Sequence, residues 1–139
     1  LYERIEHTLF NWMAKHEQLE TSYYVAHQRM LQFKNTPIDG PLVTSVGRLT
    51  EQKVLLLCQQ YGNVLALDKV CEIINRFKGR LIILGSGDKA LESIFTKAMA
   101  RNANLLFLKG YGQGIGDSLY ELGDLFLMPH SRAISITCW

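Results

Sequence analysis

Apolar and aromatic positions recur at three- and four-residue steps over residues 1–33: Tyr2, Ile5, Leu9, Trp12 and Met13, then Tyr23, His27, Met30 and Leu31. Such spacing puts one face of an amphipathic helix against a core, and here it predicts two helices broken near Thr21. Helix cannot continue through Thr36-Pro37-Ile38-Asp39-Gly40-Pro41, because proline fixes φ and removes an amide donor while glycine frees the backbone to turn. This segment marks the boundary between a helical lead-in and linker, 1–41, and the remainder, 42–139.

Past Pro41 the period changes. Short apolar runs at Leu42–Val46, 81–84, 105–108 and 125–128 read as buried strands. Between them Leu67, Val70, Cys71, Ile74 and Phe77 make one helical face, Leu91, Ile94, Phe95, Ala98 and Met99 another, and 118–122 a short third helix. Strands that are apolar without alternation, separated by helices, are buried on both faces of a parallel sheet joined by right-handed crossovers. The prediction is an α/β fold, a Rossmann-like parallel sheet with flanking helices, preceded by a helical segment, and ligands on such sheets bind at the strands' carboxyl ends. The run Val54-Leu55-Leu56-Leu57-Cys58 with Gln59-Gln60-Tyr61-Gly62-Asn63 fits either a helical turn or a strand.

Composition narrows the classes. A chain of 139 residues suits one ordinary domain. With 47% hydrophobic and 20% charged residues the composition is globular, and no stretch approaches the roughly 18 apolar residues of a membrane span. The net charge of +2 is spread along the chain, without the basic stripe that would neutralise nucleic-acid phosphates. Membrane and nucleic acid are therefore not expected partners. Cys58, Cys71 and Cys138 are odd in number and lack metal-ligand spacing, which predicts reduced thiols in a cytoplasmic protein and no structural metal. Leu1 stands where a start methionine would, and a charged amphipathic segment follows it; the expectation is a fragment of a longer protein without a signal peptide.

Candidate chemistry lies directly after the first strand, in Val46-Gly47-Arg48-Leu49-Thr50-Glu51-Gln52-Lys53. Gly47 lets backbone approach a ligand, Arg48 offers a planar fork of donors, and Lys53 a mobile point charge. The pair suits a diphosphate leaving group, whose developing charge fixed cations stabilise more in the transition state than in the ground state. The plainer alternative is two solvated cations in a loop.

Gly47-Arg48-Leu49-Thr50-Glu51-Gln52-Lys53 resembles the G/S-R-L-x-x-Q-K segment that opens the C-terminal domain of bacterial glycogen and starch synthases. Leu81-Ile82-Ile83-Leu84-Gly85-Ser86-Gly87-Asp88 is similar to that family's strand followed by L-G-x-G-D, and Gly110-Tyr111 to its G-Y after the next strand. Gly123-Asp124-Leu125-Phe126-Leu127-Met128-Pro129 resembles the A/G-D-x-x-L-x-P strand before the catalytic acidic loop. The resemblance, which spans residues 42–129, implies an incomplete GT-B C-terminal domain, the donor-binding part of a retaining hexosyltransferase that extends α-1,4-glucan from ADP-glucose. It implies Arg48 and Lys53 on the donor's phosphates, catalytic through their charge, with Gly47, Gly110 and Tyr111 completing the donor site and Tyr111 stacking on the base. It implies no cofactor and no metal, and an α-glucan acceptor held by the full-length protein.

After Pro129 the resemblance stops. The family continues with an acidic E-P-C-G-L/I-x-Q loop, whereas this chain reads His130-Ser131-Arg132-Ala133-Ile134-Ser135-Ile136-Thr137-Cys138-Trp139, with Ala133 at the acidic position. A shifted reading of the codons for 131–139 is compatible with the missing segment, which makes a frameshifted gene end one hypothesis for the tail; the nucleotide sequence tests it. The expectation is that the isolated chain transfers no glucose. The alternatives are a transferase using another, UDP-linked sugar, and a truncated, non-catalytic nucleotide-binding or interaction module.

Several chemistry-bearing residues read as structural. Gly85-Ser86-Gly87 fits a tight strand-to-helix turn, Asp88 the N-cap of the next helix, and Asp124 a scaffold carboxylate. His7, His16, His27 and His130 have no metal-ligand partners in sequence, and Glu51 is expected to face solvent, away from a diphosphate.

Overall fold

The computed structural model describes residues 1–15, 21–50, 57–110, 113–129 and 134–138. Two helices, α1 (Tyr2–Lys15) and α2 (Thr21–Asn35), lead in. Then come β1 (Leu42–Val46), a hairpin of β2 (Gln60–Tyr61) and β3 (Val64–Leu65), and α3 (Ala66–Arg76). Strand β4 (Arg80–Gly85), helix α4 (Lys89–Arg101), β5 (Leu105–Lys109), α5 (Gln113–Leu122), β6 (Leu125–Pro129) and β7 (Ile134–Cys138) complete the described chain.

The main sheet has the order β5-β4-β1-β6-β7. Strand β1 pairs in parallel with β4 and with β6, and β4 in parallel with β5. The chain thus steps outward from β1 through β4 to β5, then returns through α5 to lay β6 on the other side of β1. That reversal opens a crevice outside the carboxyl ends of β1 and its neighbours. The arrangement is the Rossmann-like parallel sheet with flanking helices that the sequence predicts. Helix α3 packs on β4, α4 on β5 and α5 on β1, while α2 runs along β5 and α1 rests on α2 and α5.

Strand periodicity follows burial. All six residues of β4 and the first four of β1 and of β5 are buried, as expected where both sheet faces are covered. Phe95 of α4 meets Phe107 of β5 edge-on, ring centroids 5.4 Å apart. The lead-in belongs to this same core, since Ile5, Leu9, Met30 and Phe33 are buried with the sheet residues in one cluster. Each such aliphatic or aromatic side chain stabilises the fold by about 1.5–3 kcal/mol relative to exposure. Arg80, at the start of β4, fastens the two parts together. Its guanidinium donates to the Tyr2 hydroxyl and to the carbonyls of Phe33 and Thr36, and lies over the Phe33 ring.

Two details differ from the sequence reading. Phe77 leaves the apolar face of α3 and is 67% exposed, because the helix ends at Arg76 and the chain reverses through Lys78 at φ 57. Helix α5 begins at Gln113, five residues before the expected start at Ser118. The ambiguous stretch resolves from Leu57 onward into a helical turn followed by the β2–β3 hairpin, which turns at Gly62 with φ 68; residues 54–56 lie outside the described residues. In addition, β7 pairs antiparallel with β6, from Pro129 opposite Ile134 to Leu125 opposite Cys138. Among the described residues no helix is long and apolar enough to cross a membrane.

Candidate functional site

The loops that follow β1 and β4 are sewn together beyond the ends of their strands. Gly47 N–H donates to Leu84 C=O at 3.1 Å, Leu49 N–H to Ser86 C=O at 3.0 Å, and Asp88 N–H to Leu49 C=O at 3.1 Å. Leu49 and Gly87 form a parallel bridge, and the Leu49 side chain is buried. Gly85 and Gly87 are required by this approach: a Cβ on Gly85 would collide with the Gly47 carbonyl, and one on Gly87 with that of Leu49. These glycines therefore serve the packing of one loop on the other.

Fixing Leu49 inward leaves its neighbour outward. Arg48 is exposed and forms no hydrogen bond or ion pair with a described residue. Backbone anchoring on either side of an unpaired guanidinium leaves its five donors available to an anion. Gly47 is different from its partners across the loop, since no described residue stands within 4 Å of where its Cβ would be.

Several cavities open at the carboxyl ends of the strands, two of which reach beyond the loops after β1 and β4. One, of about 520 Å³, is lined by Val46, Gly47, Arg48, Leu84, Gly85, Ser86 and Gly110. The second, of about 300 Å³, is more apolar and is bordered by Arg48, Leu57, Tyr120, Phe126 and Met128 among others. Of the residues the sequence singles out, Gly47, Arg48 and Gly110 are thus brought together around one cavity, and the crevice predicted by the strand order lies there. Lys53 and Tyr111 lie outside the described residues, as do Glu51, His16 and His130.

Gly110 is held from two sides. Its N–H donates to Gly85 C=O at 3.1 Å, and the Trp12 indole of α1 stands 2.8 Å from where a Cβ would be. Trp12 was legible only as one member of the apolar stripe of α1; no sequence signal tied it to the loop after β5.

The aspartates that the sequence singles out are structural. Asp88 caps α4, its carboxylate accepting from Ala90 N–H at 2.8 Å and Leu91 N–H at 3.4 Å. Asp124 accepts from Leu42 N–H at 2.8 Å, at the far end of β1. Among the described residues no group of three His, Cys, Asp or Glu side chains could hold a metal. Burial pushes the Cys58 thiol up to about 11 and, with the Asp68 charge adding to it, Cys71 up to about 12. Neither offers a thiolate nucleophile near neutral pH.

No family model matches the chain. It is 40% identical over 91 residues to a glycogen synthase of Paracoccus denitrificans, covering 66% of this chain and 18% of that protein. It is 35% identical over 106 residues to a glycogen synthase of an Anaeromyxobacter species, covering 75% of the chain and 20% of the relative. Over 140 residues it is 29% identical to the glycogen synthase of Hydrogenovibrio crunogenus, covering 90% and 27%. The chain spans about a fifth of the length of the first two of these relatives.

Proposed function

We propose, from the chain's membership of the glycogen synthase family, that it forms the nucleotide-sugar-binding part of a retaining glucosyltransferase. The observation that carries this reading is the convergence of Gly47, Arg48 and Gly110 on one cavity at the carboxyl ends of β1, β4 and β5. Arg48 would hold the donor's diphosphate through bidentate, charge-assisted hydrogen bonds. Lys53 would add a second cation as the glycosidic bond to phosphate breaks and negative charge collects on the leaving group. Tyr111, next to Gly110 in sequence, would stack on the base. The donor is ADP-glucose and the acceptor an α-1,4-glucan, bound by the longer protein of which this would be a part; neither step calls for a metal or another cofactor. The location is cytoplasmic.

Alone, the chain is expected to bind donor without transferring glucose, since the acidic position carries Ala133. A second reading, a nucleotide-binding module without transferase activity, draws on β7. This strand lies antiparallel on the edge of β6, where a doubly wound sheet continues with parallel strands.

Calorimetric titration with ADP, ADP-glucose and UDP-glucose tests the proposal, together with Arg48→Ala and Lys53→Ala variants of verified fold. Preference for adenine nucleotides, weakened in each variant by roughly tenfold or more, supports it. A folded chain that binds none of the three rules out a surviving donor site. Tighter binding of UDP-glucose than ADP-glucose replaces the donor.

A further inference from the structure

A separate cavity, of about 490 Å³, opens on the flank of α4 and shares no residue with the cavities beside Arg48. Lys89, Glu92, Ser93, Thr96 and Lys97 line it. Their spacing of three, four, seven and eight from Lys89 is that of a single helix face. Lys109, the last residue of β5, and Thr21 and Ser22, the first turn of α2, close the other sides. Three chain segments therefore meet around a hollow whose lining residues all carry a hydroxyl or a charge.

Its charge is unbalanced. Among the described residues three lysines face one acid, leaving two positive charges. Glu92, almost fully buried, lies 3.9 Å from Lys109, so that pair largely offsets itself. Lys89 and Lys97 form no ion pair with a described residue. Their Cα atoms are about 12 Å apart along α4, a span that two lysine side chains can close on one anion. Thr96 already donates to Glu92 C=O, but the Ser93 and Thr21 hydroxyls remain as donors. The N-terminal end of the 15-residue α2 adds partial positive charge. Independently, Ser22 lines the hollow, is 5% exposed, and its Oγ has no hydrogen-bond partner among the described residues. Buried hydroxyls are rarely left so, and a ligand seated here would supply the missing partner.

We propose that this hollow is a second oxyanion site that takes a tetrahedral phosphate, free or as a monoester, with Lys89 and Lys97 as its principal cations. Because Lys109 directly precedes Gly110 in the chain, occupancy would bear on the loop after β5.

The test is a backbone amide NMR titration of the full chain with sodium phosphate, with glycerol 3-phosphate, and with sodium chloride at matched ionic strength. Expected are saturable shifts at residues 21–22, 92–97 and 109 with phosphate and not with chloride. The affinity should fall on the order of tenfold or more in Lys89→Ala/Lys97→Ala, the loss of two charge-assisted contacts, and be unchanged in Lys78→Ala and in Arg48→Ala. Stronger binding of glycerol 3-phosphate assigns the site to a monoester, and stronger binding of phosphate assigns it to the free ion. Shifts that grow linearly, that chloride reproduces, or that centre on residues 47–48 and 85–86 and vanish in Arg48→Ala overturn the proposal. In the last case phosphate has found the donor site alone, and the reading of Arg48 survives.

Discussion

The indole of Trp12 fills the space that a side chain on Gly110 would need, its ring atoms 2.8 Å from the would-be Cβ. A helix read from sequence as part of an unspecific lead-in is thereby packed on the loop that continues into the proposed base-binding residue. Trp12 is half-buried and also faces Tyr23, at 6.2 Å between centroids, so it cannot withdraw without disturbing α2.

Gly110→Ala should therefore destabilise the chain by about 1–3 kcal/mol, the usual cost of overpacking. Pairing it with Trp12→Leu should recover part of that loss, because the smaller side chain vacates the Cβ position. Urea unfolding of the two singles and the double provides the cycle. Simple additivity of the singles would show that the contact is not what makes residue 110 a glycine.

The glycines around Arg48 should separate into two kinds. At Gly85 and Gly87 the obstacle to a side chain is neighbouring backbone, the carbonyls of Gly47 and Leu49, and backbone cannot rotate aside. Alanine at either should cost about 1–3 kcal/mol. At Gly47 no described residue lies within 4 Å, so Gly47→Ala should stay within about 0.5 kcal/mol in stability. If Gly47→Ala nonetheless weakens ADP binding, the glycine is there for the ligand; thermal melts and titrations on the three variants decide.

Much of this architecture is legible in the sequence because parallel strands buried on both faces leave continuous apolar runs. Strand β1 comes out with the same bounds, and β4, β5 and β6 within one residue at an end. The hairpin escapes that signal, since its strands have two residues each and Gln60, Tyr61 and Val64 are exposed. The first turns of α5 are hidden by Gly114 and Gly116, which interrupt the apolar stripe before Leu119. Phe77 misleads because periodicity continues one position past the point where Lys78 reverses the chain. Motif reading finds Gly47, Arg48 and Gly110, whose types and order are local properties. It cannot find Trp12, whose role exists only once α1 is packed near the end of β5.

Cysteine burial gives a pH dependence. Cys71 is pushed from its ordinary value of 9.0 up to about 12, mainly by burial and secondarily by Asp68. Cys58 rises to about 11 by burial alone. A raised thiol favours the folded state only while the unfolded chain would still hold its proton. Its contribution is complete below pH 9 and is lost as pH climbs toward 11–12. Unfolding free energy should therefore decline above pH 9 with a slope that lessens in Cys71→Ala. Equal slopes in the variant and the parent between pH 9 and 11 would remove the thiol as the cause.

Arg80 tests whether the lead-in is part of the folding unit. Its guanidinium reaches the Tyr2 hydroxyl at 2.9 Å and the Phe33 carbonyl at 3.0 Å, also donates to Thr36 C=O, and sits 4.4 Å from the centre of the Phe33 ring. Those partners come from α1, the end of α2 and the linker, whereas Arg80 itself opens β4, the neighbour of the central strand β1. Arg80→Ala would leave buried acceptors unpaired and should cost about 3 kcal/mol. Arg80→Lys should recover little, since an ammonium keeps the charge but cannot reproduce a planar fork that donates in several directions and stacks on a ring. With Trp139→Phe as the parent, so that Trp12 is the sole tryptophan, unfolding followed by far-ultraviolet circular dichroism and by Trp12 fluorescence should coincide, because residues of both parts share one core. In Arg80→Ala the Trp12 signal should move first, as the clamp between helices and sheet is lost. Coincident transitions in that variant would mean that Ile5, Leu9, Met30 and Phe33 hold the lead-in by apolar packing alone, with Arg80 contributing only stability.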